Sequence, residues 1–134
     1  MTNDILIKEV APRDGLQAQS QHLTLEQRQR LIDSLSVTGV PELEIGSFVS
    51  PKAVPQMAGT DVLAAQLPAA DLAYSVLVPN MKGYELALAT GIKTYAIAIS
   101  ATEQMNQISS SVVVSRPRET QGHIQTGEFD PGSE

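Results

Sequence analysis

Short apolar segments alternate with longer amphipathic segments between residues 5 and 99 of this chain. The apolar segments have the alternation and the β-branched residues of strands, and they cover residues 5–10, 42–48, 73–78 and 94–99. The segments between them carry apolar residues at helical spacing and cover residues 25–36, 61–67 and 81–90. This order predicts an α/β fold with about four parallel strands, alternating helices and right-handed crossovers.

Capping signals at the ends of the predicted helices support these assignments. Thr24 is predicted to cap the first helix, with Gln27 at the capping-box position. Gly39 is predicted to end that helix in a left-handed conformation. Thr60 and Asn80 are the predicted caps of the second and third helices.

Two stretches of the chain lack a regular pattern. Residues 11–22 predict a polar loop, in which His22 is expected to be solvated. Beyond the fourth strand the sequence becomes polar, which predicts one domain over residues 1–107 and a disordered tail over 108–134. An edge strand at Val112–Val114 is the alternative for part of that tail.

The composition narrows the class of partners. The 134 residues carry 42% apolar side chains but only 4% aromatic ones, so the core is expected to be aliphatic. A net charge of −6 disfavours nucleic acids and anionic membranes as partners. The absence of cysteine excludes disulfides and zinc–thiolate sites. Since the sequence has no long apolar run and no basic leader, a cytoplasmic protein without a membrane span is expected.

Polar side chains are concentrated where the predicted strands end. They are Arg13, Asp14 and Gln17 after the first strand, Glu44 and Ser47 late in the second, Asn80 after the third, and Ser100, Thr102 and Glu103 after the fourth. Parallel α/β folds place their sites at the carboxyl ends of the strands. We therefore expect these side chains to converge on one rim.

Several of these residues also have a structural interpretation. Asp14 and Gly15 form a common turn pair. Arg13 could instead form a structural ion pair, with Asp14 or with Glu44 as its partner. Asn80 is favoured as a helix cap over a ligand.

Glu44 is the strongest candidate for a functional role. It lies between Leu43 and Ile45, so its side chain points to the opposite face of the strand from theirs. In a barrel that face is the inside, where a carboxylate without a partner is costly. A functional role is therefore favoured over a structural one.

Three segments resemble motifs of the 3-hydroxy-3-methylglutaryl-CoA lyases, which are metal-dependent lyases built on a (β/α)₈ barrel. The segments are PRDGLQ at residues 12–17, SFVSPK at 47–52 continued by VPQM at 54–57, and VPNMKG at 78–83. The resemblance implies a partial barrel of this kind, a divalent cation (Mg²⁺ or Mn²⁺) and an acyl-CoA substrate. The family reaction splits 3-hydroxy-3-methylglutaryl-CoA into acetyl-CoA and acetoacetate.

The resemblance also implies roles for individual residues. Asp14 would be a ligand of the cation, since hard carboxylate oxygens suit such ions. Arg13 would face the thioester carbonyl and stabilise the enolate formed on bond cleavage. Gln17 and Glu44 would order the metal-bound water, the substrate or Arg13. The residues implied to position the substrate are Arg13, Ser47 and Asn80.

The chain supplies four predicted strands, whereas the family barrel has eight. The H-x-H pair of metal-binding histidines is also missing, because neither His22 nor His123 belongs to such a pair. A truncated lyase with an incomplete metal site and little activity alone is therefore expected. The alternatives are a non-catalytic remnant, a half-barrel that needs a partner chain, and a lyase for another 3-hydroxyacyl-CoA. Unpaired edges on the first and fourth strands predict self-association.

Overall fold

A computed structural model describes residues 5–97 of the chain. It contains a four-stranded parallel sheet in the order β1-β2-β3-β4, which confirms the predicted class and topology. The strands are β1 (Lys8–Glu9), β2 (Glu42–Ser47), β3 (Ala73–Leu77) and β4 (Thr94–Ala96), and the helices are α1 (Leu25–Ser36), α2 (Thr60–Ala65) and α3 (Met81–Ala89). A π-helical turn at Ala11–Gly15 and a 3₁₀ turn at Pro55–Met57 complete the described elements.

The aliphatic core lies between the sheet and its helices. Leu43 and Ile45 of β2 and Val76 of β3 are fully buried there against Ile32 of α1 and Leu63 of α2. Residues of a strand point alternately to its two faces, so this packing directs the side chain of Glu44 away from the helices. The predicted orientation of Glu44 is therefore confirmed.

The first helix begins as the sequence predicts. The backbone N–H of Gln27 donates to Thr24 Oγ1 at 3.2 Å, and the Thr24 N–H donates to Gln27 Oε1 at 2.9 Å. These two bonds form a capping box, which satisfies N–H groups that have no partner inside the helix. Beyond its end Gly39 has a φ of +86°, in the left-handed region that glycine adopts at little cost.

The first strand is shorter than predicted. Residues 5–10 were expected to be extended, but only Lys8 and Glu9 pair with β2. The register places Lys8 opposite Glu42, the first residue of β2, so the residues before Lys8 have no partner on that strand. Pro41 precedes Glu42 and has no N–H to donate to a ladder. Residues 5–7 are consequently exposed, although all three are apolar.

Two further local predictions were wrong. Thr60 does not cap the second helix but is its first residue, because Gly59 takes the cap position with a φ of +75°. The Thr60 hydroxyl instead donates to the carbonyls of Met57 and Ser47. Residues 11–22 are not wholly a loop, because they begin with the π-helical turn.

Other boundaries differ from prediction by small amounts. Strands β2 and β3 and helix α3 each end one residue earlier than expected, and α2 ends two residues earlier. Strand β4 is described only to Ala96, and the predicted residues 98–99 lie outside the described part of the chain. The predicted tail at 108–134, with its alternative edge strand, also lies outside it, as do Ser100, Thr102 and Glu103. In residues 5–97 no helix is long and apolar enough to cross a membrane.

A bulge in β2 decides which of its side chains share a face. Glu44 pairs with Ser75, and the next residue of β3 pairs with Gly46, so Ile45 is an extra residue. A β-carbon on Gly46 would lie 2.6 Å from the Oγ1 atom of Thr60, which places this residue on the helix side. Ser47 therefore returns to the face of Glu44, although three positions separate the two along the chain.

Candidate active site

The π-helical turn places Arg13 and Asp14 at the carboxyl end of β1. The carbonyl oxygen of Val10 accepts the N–H groups of Arg13 at 3.1 Å, Asp14 at 2.8 Å and Gly15 at 3.3 Å. Pro12 is buried in this turn, and the turn packs against β2. The chain thus folds back so that the Arg13 side chain reaches the inner face of the sheet.

Glu44 is the centre of a group of charged side chains, which we call the charged cluster (Lys8, Arg13, Asp14, Glu42 and Glu44). Its Oε1 atom accepts a hydrogen bond from Arg13 Nε. Its Oε2 atom lies 2.6 Å from Lys8 Nζ. Only 2% of the Glu44 side chain is exposed, so each of its oxygens contacts a cationic side chain in place of water. A buried carboxylate is costly unless cations compensate its charge, and Glu44 has two such partners.

Lys8 connects the two carboxylates of β2. Its Nζ atom lies 3.0 Å from Glu42 Oε1 in addition to its contact with Glu44. Burial lowers the pKa of Lys8, but hydrogen bonds and Coulomb attraction from Glu44 and Glu42 outweigh burial, so this pKa is raised above its ordinary value of 10.5. Lys8 is therefore a stable positive charge within the charged cluster.

Asp14 is the exposed member of the cluster. Its Oδ1 accepts a hydrogen bond from Arg13 Nη1 at 2.9 Å, and 67% of its side chain is exposed. Its carboxylate is thus open to a ligand on the solvent side, and hard oxygens of this kind suit Mg²⁺ or Mn²⁺. The part of the chain at residues 5–97 has no group of three or more His, Cys, Asp or Glu that could hold a metal ion. These residues form no complete metal shell, and the role of Asp14 as a ligand stays a prediction.

The remaining predicted site residues have more varied surroundings. Ser47 is buried, and its hydroxyl donates to the Leu77 carbonyl at 3.2 Å. Gln17 has a buried Oε1 atom without a hydrogen-bond partner in the described residues. Asn80 is exposed and accepts the N–H of Gly83 at 2.9 Å, which confirms that it caps α3. Roles for these three residues in substrate binding or catalysis stay predictions.

The ion pairs of Arg13 confirm both of the structural alternatives raised for it. Its Nε and Nη1 atoms donate to Glu44 and Asp14, whereas Nη2 has no hydrogen-bond partner within residues 5–97. The guanidinium side chain is 18% exposed. One edge is thus held by carboxylates while another N–H pair is available. His22 is exposed, as expected, and takes no part in this cluster.

Two residues on this inner face are not predicted from the sequence. Lys8 lies within an apolar segment that indicates no role for it, although its position opposite Glu42 makes it a partner for the carboxylates of β2. Ser75 pairs with Glu44 in the strand register, is fully buried, and has a hydroxyl without a partner in the described residues. Alternation within each strand would have placed both residues on a polar face once the register was known.

Comparison with known proteins gives a consistent result. A 3-hydroxy-3-isohexenylglutaryl-CoA/hydroxy-methylglutaryl-CoA lyase of Pseudomonas aeruginosa is 44% identical over 104 residues, which are 77% of this chain and 35% of that protein. An (R)-citramalyl-CoA lyase of Chloroflexus aurantiacus is 42% identical over an alignment of 114 positions, which covers 77% of this chain and 36% of that protein. The chain thus spans about a third of the length of these curated relatives.

Solved structures share the same arrangement of strands and helices. The HMG-CoA lyase of Brucella melitensis matches with a TM-score of 0.74 at 44% identity, over 78% of this chain and 37% of that one. An HMG-CoA lyase of Acinetobacter baumannii, in complex with coenzyme A and 3-methylmalate, matches with a TM-score of 0.75 at 32% identity, over 78% and 35%. The four strands and their helices therefore match part of these barrel lyases.

The family profile gives the broadest match along the chain. The HMGL-like family matches residues 4–121, which include every residue of the charged cluster. The predicted domain boundary at 107 stays a prediction. The chain belongs to the HMGL-like family.

Proposed function

We propose that this chain forms the part of a carbon–carbon lyase site that binds and polarises an acyl-CoA thioester, in a reaction of the 3-hydroxy-3-methylglutaryl-CoA lyase type. The observation that carries the proposal is the way in which Arg13 is held. Glu44 and Asp14 fix two of its nitrogens, and Nη2 is left with no partner within residues 5–97. A fixed guanidinium with available N–H groups suits an oxygen on which negative charge develops.

The proposed reaction has three steps, and the arrangement of Arg13 supports the second of them. A base removes the proton from the 3-hydroxyl of the substrate, and the oxygen of that hydroxyl becomes a carbonyl oxygen. The bond between carbons 2 and 3 breaks, and its electron pair passes to carbon 2 and on to the thioester oxygen. Arg13 donates to that oxygen and stabilises the enolate. Protonation at carbon 2 then yields acetyl-CoA beside acetoacetate.

The supporting residues keep Arg13 in place during the reaction. Glu44 is buried and holds the Arg13 guanidinium by a hydrogen bond, so we expect the guanidinium to keep its orientation as charge develops on the substrate. Asp14 would supply one ligand to a divalent cation, and that ion, when bound, would polarise the oxygens of the substrate. Gln17 Oε1 is buried without a hydrogen-bond partner in residues 5–97, and a bound water or a substrate hydroxyl is proposed to supply one. Ser47 and Asn80 are proposed to position the substrate at this rim.

The choice of acyl-CoA has a second candidate. One relative is named for two 3-hydroxyglutaryl-type thioesters, and another is an (R)-citramalyl-CoA lyase. All of these substrates carry a hydroxyl at the carbon that becomes a carbonyl, so the same role of Arg13 serves each of them. (R)-Citramalyl-CoA is therefore the second candidate substrate, to be assayed beside 3-hydroxy-3-methylglutaryl-CoA.

The whole activity requires parts beyond the charged cluster, because a single carboxylate cannot complete the octahedral shell of Mg²⁺. A non-catalytic remnant and a half-barrel that binds a partner chain are therefore the competing proposals. Self-association through open sheet edges is proposed as well, since in residues 5–97 β1 and β4 pair on one side only.

Acetoacetate formation with Mg²⁺ and 3-hydroxy-3-methylglutaryl-CoA tests the proposal. The chain is assayed alone and mixed with a separately expressed C-terminal barrel segment of a relative. We expect turnover in the mixture and an Arg13→Met loss of about 10²- to 10³-fold. Arg30→Met is the matched control, because Arg30 forms an exposed ion pair on α1. No turnover in either preparation would favour the remnant.

A further inference from the structure

Lys8 is the cation of the charged cluster to which the family resemblance gives no role. It lies on β1 opposite Glu42, outside the three segments that resemble the lyase motifs. Its side chain is 26% exposed, and its Nζ atom contacts Glu44 at 2.6 Å and Glu42 at 3.0 Å. Among residues 5–97, Lys8 and Arg13 are the two cations that contact Glu44.

The two oxygens of Glu44 are divided between these cations. Oε1 accepts from Arg13 Nε, and Oε2 lies against Lys8 Nζ. The terminal torsion of a glutamate is broad, so a carboxylate held at one oxygen can still turn. A carboxylate held at both oxygens has a fixed plane. The direction in which Glu44 presents Oε1 to Arg13 therefore depends on Lys8.

We propose that Lys8 is a positioning residue, which fixes the Glu44 carboxylate and through it orients the Arg13 guanidinium. Its catalytic consequence rests on the proposed function, whereas its effect on Arg13 does not. Lys8 and Glu44 belong to paired strands, so the anchor is built on sheet backbone. Sites built on such elements hold their side chains more closely than loops do.

A merely structural role for Lys8 makes a different prediction. If Lys8 only compensates negative charge, its loss lowers stability but leaves the Arg13–Glu44 hydrogen bond intact. If Lys8 fixes the carboxylate plane, its loss also loosens that bond. The two roles therefore differ in how readily the Arg13 Nε proton exchanges with water.

The experiment measures this exchange by ¹⁵N NMR on the chain, with the Arg13 Nε signal assigned by its absence in Arg13→Lys. We expect Lys8→Met to accelerate the exchange about tenfold or more, and Lys8→Arg to restore it to within about threefold. Glu42→Gln is the matched control. It removes the other carboxylate of Lys8, and we expect a rate within about twofold of the unmodified chain.

A folded Lys8→Met chain whose exchange rate stays within about twofold of the unmodified one would overturn the proposal. If that variant does not fold, the pKa of Lys8 is measured in the unmodified chain and in Glu42→Gln from its ¹³Cε shift. A pKa that stays above 10.5 in Glu42→Gln supports the contact of Lys8 with Glu44, and a pKa at or below 10.5 in that variant overturns the proposal.

Kinetic measurements on a preparation with lyase activity distinguish this proposal from the proposed function. Lys8→Met should then lower kcat about tenfold or more while KM changes by less than about threefold, because orientation matters most in the transition state. If no preparation is active but Lys8→Met still accelerates the exchange at Arg13, the lyase function fails and the positioning role stands.

Discussion

At the scale of single residues, the site depends on how the Glu44 carboxylate is compensated. Its side chain is 2% exposed, and its two partners, Lys8 and Arg13, are 26% and 18% exposed. The lysine and the arginine thus remain in partial contact with water, whereas the carboxylate does not. Glu44 is therefore the most deeply buried charge of the cluster, and its two ion pairs offset the cost of that burial.

Glu44→Gln should be strongly destabilising, because the amide keeps the shape but leaves two cations without their common partner. We expect a loss of about 3 kcal/mol in the free energy of unfolding, measured with urea. Glu26→Gln is the matched control, since Glu26 pairs with Arg30 at 2.6 Å with both side chains about three-quarters exposed. That loss should be below about 0.5 kcal/mol. Equal losses would contradict the central place of Glu44.

The stability of the chain should fall at alkaline pH as Lys8 loses its proton. The folded pKa of Lys8 is raised above 10.5, which means that the folded state binds this proton more tightly than the unfolded state. The stabilisation is complete below the unfolded pKa and is lost as the pH rises through the folded one. Urea unfolding over a series of alkaline pH values that extends above 10.5 should show this loss, and Lys8→Met should show a smaller one.

At the scale of elements, the sequence predicts what local spacing determines. The capping box at Thr24 and Gln27 follows from two residue types three positions apart, and the structure confirms it. Asn80 is confirmed as a cap for the same reason. The short β1 could not be predicted in this way, because its length depends on where β2 begins beside it.

The site shows the same division between local and distant information. Arg13 and Asp14 are adjacent in a motif, so their closeness is visible in the sequence. Lys8 and Glu44 lie 36 positions apart along the chain, and their contact depends on the register of β1 against β2. An isolated lysine in an apolar segment gives no such register. The sequence therefore predicted part of the cluster and missed the residue that completes it.

Gly46→Ala should disturb the packing of β2 against α2. A β-carbon there would lie 2.6 Å from Thr60 Oγ1 and 3.2 Å from an Arg28 nitrogen, both in the interior. We expect a loss of about 1–3 kcal/mol in the free energy of unfolding, as for other overpacked sites. Gly15→Ala is the control, because its β-carbon would meet only Ala11 Cβ, at 3.6 Å. Equal effects would show that the close approach at Gly46 is relieved at little cost.

At the scale of the whole molecule, the described sheet presents two edges. Strand β1 pairs only with β2, and β4 pairs only with β3, within residues 5–97. Beside β1, the apolar side chains of Ile5, Leu6 and Ile7 are 63–89% exposed. An open edge next to exposed apolar residues favours pairing with another copy.

Leu6→Lys should therefore reduce self-association, because it puts a charge beside the open edge of β1. Gel filtration over a range of concentrations should show the unmodified chain shifting to larger species, and the variant shifting less. Val37→Lys is the control, since Val37 is 83% exposed but follows α1 and is not next to that edge. An equal reduction by both variants would indicate that added charge alone opposes association.

The bulge residue of β2, Ile45, is the position at which this strand can lose a residue without reversing its faces. Without Ile45, plain pleating would leave Glu44 and Ser47 two positions apart and still on a common face, while one buried apolar side chain would be lost. A single-residue deletion here should thus weaken the interior and spare the orientation of the carboxylate. Alignments with unbulged strands of other proteins should accordingly open their gap at Ile45, and not at the glutamate or the serine.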